Sequence, residues 1–310
     1  MKKIALSVAA LAISAGSAIA ADLPSRKAAP ILPPPPPPAP LWTGFYVGLN
    51  AGGTWANSNS QSIGVGPVAA DPFWPHGAAI DGTRYLAAFS AAASVAGVNS
   101  GANGGFIGGG QIGYNWQFYN SFVAGVEADI QGLTGNSASR SVITAAPVGD
   151  GTNYVAITSA RGNLDYIGTV RGRLGWLFTP TLLVYGTGGL AYGGVSLNTA
   201  SLVYNDVFVT TNHLPASFGG VNFSNTQVGW TAGGGLEWMF MPNWSAKVEY
   251  LYYDLGTVAQ NFAMPATDNA SGLNALFGGQ VRARVNGNIV RAGVNYHFNW
   301  GSPAPVVAKY

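Results

Sequence analysis

The chain has 310 residues, of which 44 are glycine, 9 are tryptophan and only 8% are charged, and it contains no cysteine. The lack of cysteine excludes disulfide bonds, thiolate catalysis and cysteine metal sites. A soluble domain normally carries about 25% charged residues, so the composition favours a protein whose surface faces lipid.

The first twenty residues have the features of a secretory signal peptide. Lys2 and Lys3 precede an apolar run, and residues 18–20 give the small-x-small pattern that signal peptidase recognises. We therefore predict that residues 1–20 are removed. The mature chain then keeps 12 of the 14 basic residues against 12 acidic ones, so its formal net charge is zero. This balance does not favour a nucleic-acid partner.

A proline-rich segment follows at residues 21–41. It holds nine prolines, and those at residues 33–38 are consecutive. Such a run adopts extended polyproline II geometry and acts as a semi-rigid spacer. We predict a linker, which lies in the periplasm if the next domain sits in the outer membrane. It either keeps the opening of that domain clear or reaches towards peptidoglycan.

From residue 42 onwards, eight segments alternate between apolar and polar residues. This is the two-residue period of a strand with one oily face and one polar face. The segments cover residues 42–55, 106–118, 122–133, 164–178, 182–195, 227–240, 244–253 and 288–300. No apolar run among them reaches the roughly 18 residues that a membrane-spanning helix requires.

The connections between the eight segments are of two kinds. Segments two and three, four and five, and six and seven are joined by three residues each. The other connections are long and cover residues 56–105, 134–163, 196–226 and 254–287. Short turns on one side and long loops on the other predict an all-β, up-and-down, antiparallel transmembrane barrel with periplasmic turns and extracellular loops.

Two of the long loops contain further structural signals. Asp150 and Gly151 form a two-residue hairpin signal between strand-like runs, so the third and fourth strands are predicted to continue past the membrane. The first long loop contains a helix-like segment at residues 85–97. An additional hairpin in that loop would give ten strands instead of eight.

Aromatic residues gather near both ends of the predicted strands. Those near the short turns or a barrel end are Trp42, Trp116, Phe118, Phe122, Trp176, Phe178, Trp238, Phe240, Trp244, Phe298 and Trp300. Those near the long loops are Trp55, Tyr166, Tyr192, Trp230 and Tyr252. Amphipathic rings prefer the headgroup level of a bilayer, so the two groups predict one aromatic belt at each interface.

The polar faces of the strands collect nine ionisable residues. They are Glu127, Asp129, Asp165, Glu237 and Glu249 with Arg171, Arg173, Lys247 and Arg291. An eight-stranded barrel is only just wide enough for its side chains to fill, and unpaired charges inside it would be costly. We predict that these charges pair across a plugged interior, with Arg171 and Arg173 facing Glu127 and Asp129. A narrow path for ions or solutes is the alternative.

The last strand contains a polar residue, a glycine and two aromatic residues at Arg291, Gly293, Tyr296 and Phe298. This spacing resembles the closing-strand signal of outer-membrane barrels. The resemblance implies that the barrel-assembly machinery reads these residues during insertion. Residues 301–310 form a predicted C-terminal tail, which departs from chains that end on the aromatic residue.

Five short motifs carry a wider resemblance. They are WTGFYVG at 42–48, GVEAD at 125–129, TVRGRLG at 169–175, GGLAYG at 188–193 and VEYLYYDLG at 248–256. Together they resemble the small outer-membrane β-barrel proteins of alphaproteobacteria, a porin family with the architecture of the OmpA membrane domain. The resemblance implies a Gram-negative surface protein at residues 42–300 that serves envelope integrity and surface interactions, with outer-membrane lipid and lipopolysaccharide as partners.

No catalytic residue, metal site or cofactor is predicted. Gly108, Gly110 and Gly113 fit G-x-G-x-x-G, but the sequence continues as a strand where a dinucleotide site needs a helix. His76 and His213 fall in predicted external loops. A non-enzymatic role is preferred; a narrow porin-like channel is the first alternative, and a barrel enzyme of the lipid A acyltransferase or protease type is the second.

Overall fold

The computed structural model describes residues 41–58, 60–72, 74, 82–99, 104–135, 138–206, 217–268 and 272–298. The predicted signal peptide, residues 21–40 of the predicted linker and residues 299–310 lie outside these ranges. No helix within the described ranges is long and apolar enough to cross a membrane.

The described chain consists of one helix and eleven strands, and all strand pairs are antiparallel. The helix α1 (Gly82–Ala93) lies between the second and third strands. The strands are β1 (Gly44–Ala56), β2 (Ser60–Ala70), β3 (Val95–Asn99), β4 (Gly105–Phe118), β5 (Phe122–Thr134), β6 (Ala138–Pro147), β7 (Asn153–Thr179), β8 (Leu182–Asn205), β9 (Ser217–Met241), β10 (Trp244–Thr267) and β11 (Asn274–Phe298).

Eight of the strands form a closed ring. Their order is β1, β4, β5, β7, β8, β9, β10 and β11, and β11 pairs with β1 to close the ring, for example between Leu49 and Val294. Closure pairs the strand edges that an open sheet would expose. The predicted eight-stranded up-and-down barrel is confirmed.

The other three strands lie on the long-loop side of the barrel, which we call its upper side. Each continues a ring strand there after an irregular break. β2 follows β1, β3 precedes β4 and β6 follows β5, each across a short gap. Above the break β2 takes the place of β1 beside β11, and β6 takes the place of β5 beside β7. The extra strands in the first long loop therefore lengthen the barrel and do not raise the ring to ten strands.

Of the two predictions for the long loops, the hairpin is confirmed and the helix has different bounds. β6 and β7 pair around residues 148–152, which confirms the hairpin at Asp150 and Gly151. The helix-like segment does form a helix, but it ends at Ala93, and Val95–Asn99 is β3. The predicted C-terminal bound of the helix was wrong because Val95 and Val98, β-branched residues that suit a strand, lie in β3 with buried side chains.

Strands β7 to β11 are longer than a membrane crossing requires. β7 has 27 residues, whereas a spanning strand needs about 9 to 11. In the part of β7 nearest the short turn, the outward residues Val170, Leu174 and Trp176 are apolar and exposed. Nearer the long loops, the exposed residues Asp165 and Arg161 are charged. The barrel thus crosses the membrane with its turn-side part and projects the remainder on the loop side.

Exposed aromatic side chains lie at both ends of the crossing, but Trp42 does not join them. Trp116 and Trp176 are exposed near the turns, and Trp230 near the loops. Trp42 is 0% exposed, and its Nε1 donates a hydrogen bond to the Pro180 carbonyl at 3.0 Å. The prediction failed because β1 begins only at Gly44, and the turn before it folds the indole into the barrel.

The barrel interior is filled in layers. The layer nearest the turns is an apolar cluster that includes Trp42, Leu177 and Met239. A layer of charged side chains follows, and a second apolar cluster around Ile167 and Leu251 lies above it. The topmost layer is an apolar cluster formed by the buried face of α1 and the strands beneath it. We call α1 together with this cluster the cap; its large side chains are Trp74, Tyr85, Phe89, Tyr154, Met264 and Phe277.

Candidate functional site: the charged layer and the cap

Eight ionisable side chains meet inside the ring, between the two aromatic groups. Each is at most 5% exposed. Four are acidic and four are basic, so the layer has no formal net charge: Glu127, Asp129, Glu237 and Glu249 with Arg171, Arg173, Lys247 and Arg291. Three oppositely charged pairs lie directly opposite each other on neighbouring strands: Glu127 with Arg171, Glu249 with Arg291 and Glu237 with Lys247.

Asp165 does not belong to this layer. Its carboxylate is exposed and accepts hydrogen bonds from the Asn163 amide and from Ser196 Oγ, the latter at 3.1 Å. The inward prediction for Asp165 was wrong because a bulge between Leu164 and Tyr166 inserts an extra residue, which reverses the facing beyond it. The predicted excess of one acid thereby becomes an even balance.

Arg171 contacts three carboxylates of the charged layer. Its Nη1 lies 3.0 Å from Glu249, and its Nη2 lies 2.8 Å from Asp129 and also contacts Glu127. The Nε donates to Thr169 Oγ1 at 2.8 Å. One guanidinium therefore joins carboxylates from β5 and β10, which face each other across the ring. The planar five-donor fork of arginine suits this multiple pairing, whereas a lysine would act as a point charge.

Arg291 and Lys247 bind the same carboxylates from other directions. Arg291 Nη2 lies 2.6 Å from Glu249 and 2.8 Å from Asp129. Lys247 Nζ lies 2.9 Å from Glu127 Oε1 and 3.0 Å from Oε2. Each of these three carboxylates is thus shared by at least two cations. The layer is a single network, so removal of one cation weakens several pairs at once.

Arg173 extends the network towards the turns with the help of two tyrosines. Its Nη2 lies 2.6 Å from Glu237, and its Nη1 donates to Tyr46 Oη at 3.0 Å. Tyr46 in turn donates to Glu127 at 2.6 Å. The guanidinium also lies over the Tyr185 ring, 4.1 Å from its centroid. Neither tyrosine was predicted to join the network, although alternation places Tyr46 on the inner face of its strand.

A glycine makes room for Tyr46. A Cβ atom on Gly113 would lie 2.4 Å from the Cζ and Oη atoms of the Tyr46 ring, which is closer than real contacts allow. Gly113 is the last glycine of the G-x-G-x-x-G match, and Gly108 and Gly110 lie with it on β4. These glycines therefore belong to a strand, and the one at position 113 serves packing.

A serine, a histidine and a glutamate also meet near the turn end. Ser245 Oγ is 2.9 Å from His297 Nε2, and Glu237 Oε1 is 3.3 Å from the same nitrogen. A catalytic relay needs the hydroxyl and the carboxylate on opposite ring nitrogens. All three residues are at most 2% exposed. This group does not have the geometry of a hydrolase site, and His76 and His213 lie outside the described residues.

The residues of the predicted insertion signal lie on both faces of β11, the first two on the inner face and the last two on the outer face. Arg291 joins the charged layer, and Gly293 pairs with Asn50 on the inner face. The Tyr296 and Phe298 rings lie 5.1 Å apart, and Tyr296 meets the Trp244 ring at 5.2 Å. The role of these residues as a signal stays a prediction. Within the described chain, no cluster of His, Asp and Glu is arranged to hold a metal ion.

The cap closes the upper end of the barrel with one face of α1. Tyr85, Phe89 and Ala92 recur at helical spacing and are buried. The Phe89 ring stacks on Phe277 with 3.8 Å between centroids. The helix packs against β2, β6, β7 and β8, and Thr144 Oγ1 of β6 donates to the Ala92 carbonyl at 2.6 Å.

A polar contact attaches the cap to the hairpin of β6 and β7. The Tyr85 hydroxyl donates to the Asp150 carboxylate. Burial and this hydrogen bond raise the pKa of Tyr85 to about 12. Burial tends to raise the pKa of Asp150, but hydrogen bonds from Tyr85 and Thr152 outweigh it and hold that pKa below its usual value. The contact therefore joins a neutral phenol to a charged carboxylate at neutral pH.

Comparisons with known proteins place the chain among membrane barrels. Residues 7–298 match the family described as "Outer membrane protein beta-barrel domain". The 31 kDa outer-membrane immunogenic protein of Brucella melitensis is 34% identical over 304 residues, which cover 96% of this chain and 100% of the relative. A 22 kDa outer membrane protein of Rhizobium leguminosarum is 30% identical over 148 residues, 47% of this chain and 52% of the relative.

Two solved structures were also compared. The outer membrane protein OprG from Pseudomonas aeruginosa has 11% identity and a TM-score of 0.33, and the match covers 83% of this chain and 97% of that one. The outer membrane protease OmpT from Escherichia coli has 11% identity and a TM-score of 0.33, covering 82% and 97%. Similarities this low do not bear on function.

Proposed function

Since the chain belongs to the outer-membrane β-barrel protein family and lies in the outer membrane of a Gram-negative bacterium, we propose that it is a closed surface protein. It contributes to envelope integrity and presents its loop side for surface interactions, and it is neither a large open pore nor an enzyme. The filled interior carries this proposal. Outer-membrane lipid and lipopolysaccharide are the proposed partners of its exterior, and the Pro-rich arm would face peptidoglycan.

Three of the four interior layers show most directly that the barrel is filled. The indole of Trp42 lies in the apolar layer at the turn end, the charged layer fills the middle, and the cap covers the top. An ion that crossed the middle would have to separate charges that are already paired at 2.6 to 3.0 Å. Leaving a buried charge without its partner costs about 3 to 5 kcal/mol. The interior therefore favours a structural role over conduction.

Recordings across planar bilayers are expected to show no large, steady conductance from the purified, refolded protein. Within the described residues, paired charges and apolar side chains fill the interior, whereas wide porins have an aqueous channel. A refolded porin inserted under the same conditions is the positive control. A stable open level would support the channel alternative and contradict the closed-barrel proposal.

An epitope tag inserted after Gly151 is expected to be labelled on intact cells. Gly151 has a φ of 92° in the exposed tip between β6 and β7, on the side that carries the long loops. The matched control is the same tag after Asn120, in the short turn between β4 and β5, which should be labelled only after permeabilisation. The name of the Brucella relative, an immunogenic protein, supports such exposure. Equal labelling of both tags on intact cells would contradict the orientation.

A further inference from the structure

A cavity of about 90 Å³ lies inside the barrel wall above the charged layer. Polar side chains line one part of the cavity, and the walls of the other part are apolar and belong to the second apolar cluster. They include Leu133, Leu164, Val195, Leu197, Tyr253 and Ala283. The cavity is thus separate from the charged layer.

The cavity adjoins the break in the barrel wall. On β11, pairing with β1 ends at Gly287 and pairing with β2 resumes at Ala283. On β7, pairing with β5 ends at Tyr166 and pairing with β6 begins at Gly162. Among the described residues, no strand pairing bridges these gaps, and Trp55 of the loop-side aromatic group lines the cavity there. The cavity is therefore partly open at the height of the outer membrane interface.

Two asparagines give the cavity its polar side. Asn163 and Asn286 both line it, and the Oδ1 atom of each is shielded from solvent yet accepts no hydrogen bond within the described chain. Their amide groups are already engaged, with Asp165 and with Tyr252 respectively. A shielded carbonyl oxygen without a donor is unfavourable. The cavity is therefore suited to a molecule that donates a hydrogen bond.

The charges at the rim disfavour an ionic ligand. Arg284 lines the cavity, but its guanidinium is paired with Asp254 at 2.6 Å and its side chain is 59% exposed. A dry apolar cavity of about 150 Å³ can hold a benzene ring. A partly open cavity of about 90 Å³ can hold part of such a ring with the polar end at the break.

We propose that this cavity binds a small neutral amphipathic molecule, a phenol or a short alcohol, whose hydroxyl donates to Asn163 or Asn286. The apolar body rests against Leu164 and Ala283, inside the wall. Binding in this cavity does not depend on whether the barrel conducts.

The test uses 4-fluorophenol as the probe and the full mature chain in lipid nanodiscs, followed by fluorine NMR. Empty nanodiscs take up the probe in linear proportion to its concentration, whereas the protein should add a saturable component of one probe per chain. Fluorobenzene, which lacks the hydroxyl, should bind about tenfold more weakly, as expected for the loss of one buried hydrogen bond. Equal binding of the two probes would overturn the role of the asparagines.

Variants locate the site. Ala283→Phe should fill the cavity and abolish the saturable component, and the double substitution Asn163→Leu with Asn286→Leu should weaken it about tenfold without filling the space. Asn198→Leu, an exposed asparagine on β8, is the matched control and should bind as the parent does. The band shift between unheated and boiled samples checks folding. The proposal is overturned if the parent shows no saturable component, which means a water-filled space only, or if the double variant binds unchanged.

Discussion

Replacing Arg171 by methionine is expected to lower the free energy of unfolding by about 3 to 5 kcal/mol, because buried carboxylates lose a cation that they share. Arg171 is 1% exposed and contacts Glu127, Asp129 and Glu249. Its removal turns an even layer into one with an excess negative charge. Denaturant titration in lipid vesicles, read by tryptophan fluorescence and by the gel band shift, measures the loss.

A second substitution and a surface pair serve as controls for Arg171→Met. Asp129→Asn added to it restores the charge balance, so the double variant should regain part of the lost stability. Arg284→Met breaks the pair with Asp254, in which the two atoms are 2.6 Å apart and the arginine side chain is 59% exposed. An exposed pair contributes about 1 kcal/mol at most. If the Arg171 and Arg284 variants lose equal stability, the interior charges are solvated and the closed-barrel proposal fails.

The crossing itself could be predicted from the sequence because the membrane imposes a strong contrast on alternate residues. Where lipid faces the outside, residues such as Val170 and Leu174 are exposed and apolar while Arg171 and Arg173 between them are buried. This period of two also gives the inner face of most strands. Above the membrane the outer face meets water and the contrast is lost. The hairpin signal at Asp150 and Gly151 extended β7 past the membrane, but the upper parts of β8 to β11 were not distinguished from loops.

Irregular backbone explains why the predicted positions of Asp165 and Trp42 were wrong. Asp165 was placed inside because a strict period of two cannot reveal the extra residue of a bulge. Trp42 was placed in a belt because nothing in its neighbourhood shows that the chain turns into the barrel before β1. The breaks between β1 and β2 and between β5 and β6 leave only short gaps in otherwise strand-like sequence.

Pair identities depend on register and on distances across the ring, which alternation does not give. The sequence offered Glu127 and Asp129 of the adjacent strand as partners of Arg171, and the structure places Arg171 against both. It also brings Glu249 within 3.0 Å from β10. Only the narrow width of an eight-stranded ring lets long side chains meet from strands that are not neighbours.

Phe89→Ala is expected to undock α1 while the membrane crossing stays folded. Phe89 is 0% exposed and stacks on Phe277 at 3.8 Å, and truncation of a buried phenylalanine costs about 3 to 5 kcal/mol. Only the cap should lose stability, because a separate apolar cluster lies between it and the charged layer. Hydrogen exchange should show that the amides of α1 lose protection, while the denaturation midpoint of the crossing stays within experimental error.

Phe218→Ala is the matched control, since Phe218 is 64% exposed on the outer face of β9. It should leave the protection of α1 unchanged. Undocking of the cap alone should not open the barrel, because the charged layer still fills the middle; conductance should require Arg171→Met in the same chain. If Phe89→Ala lowers the stability of the crossing as much as that of α1, the upper and lower barrel fold as one unit, and the cap is part of the core that holds the crossing together.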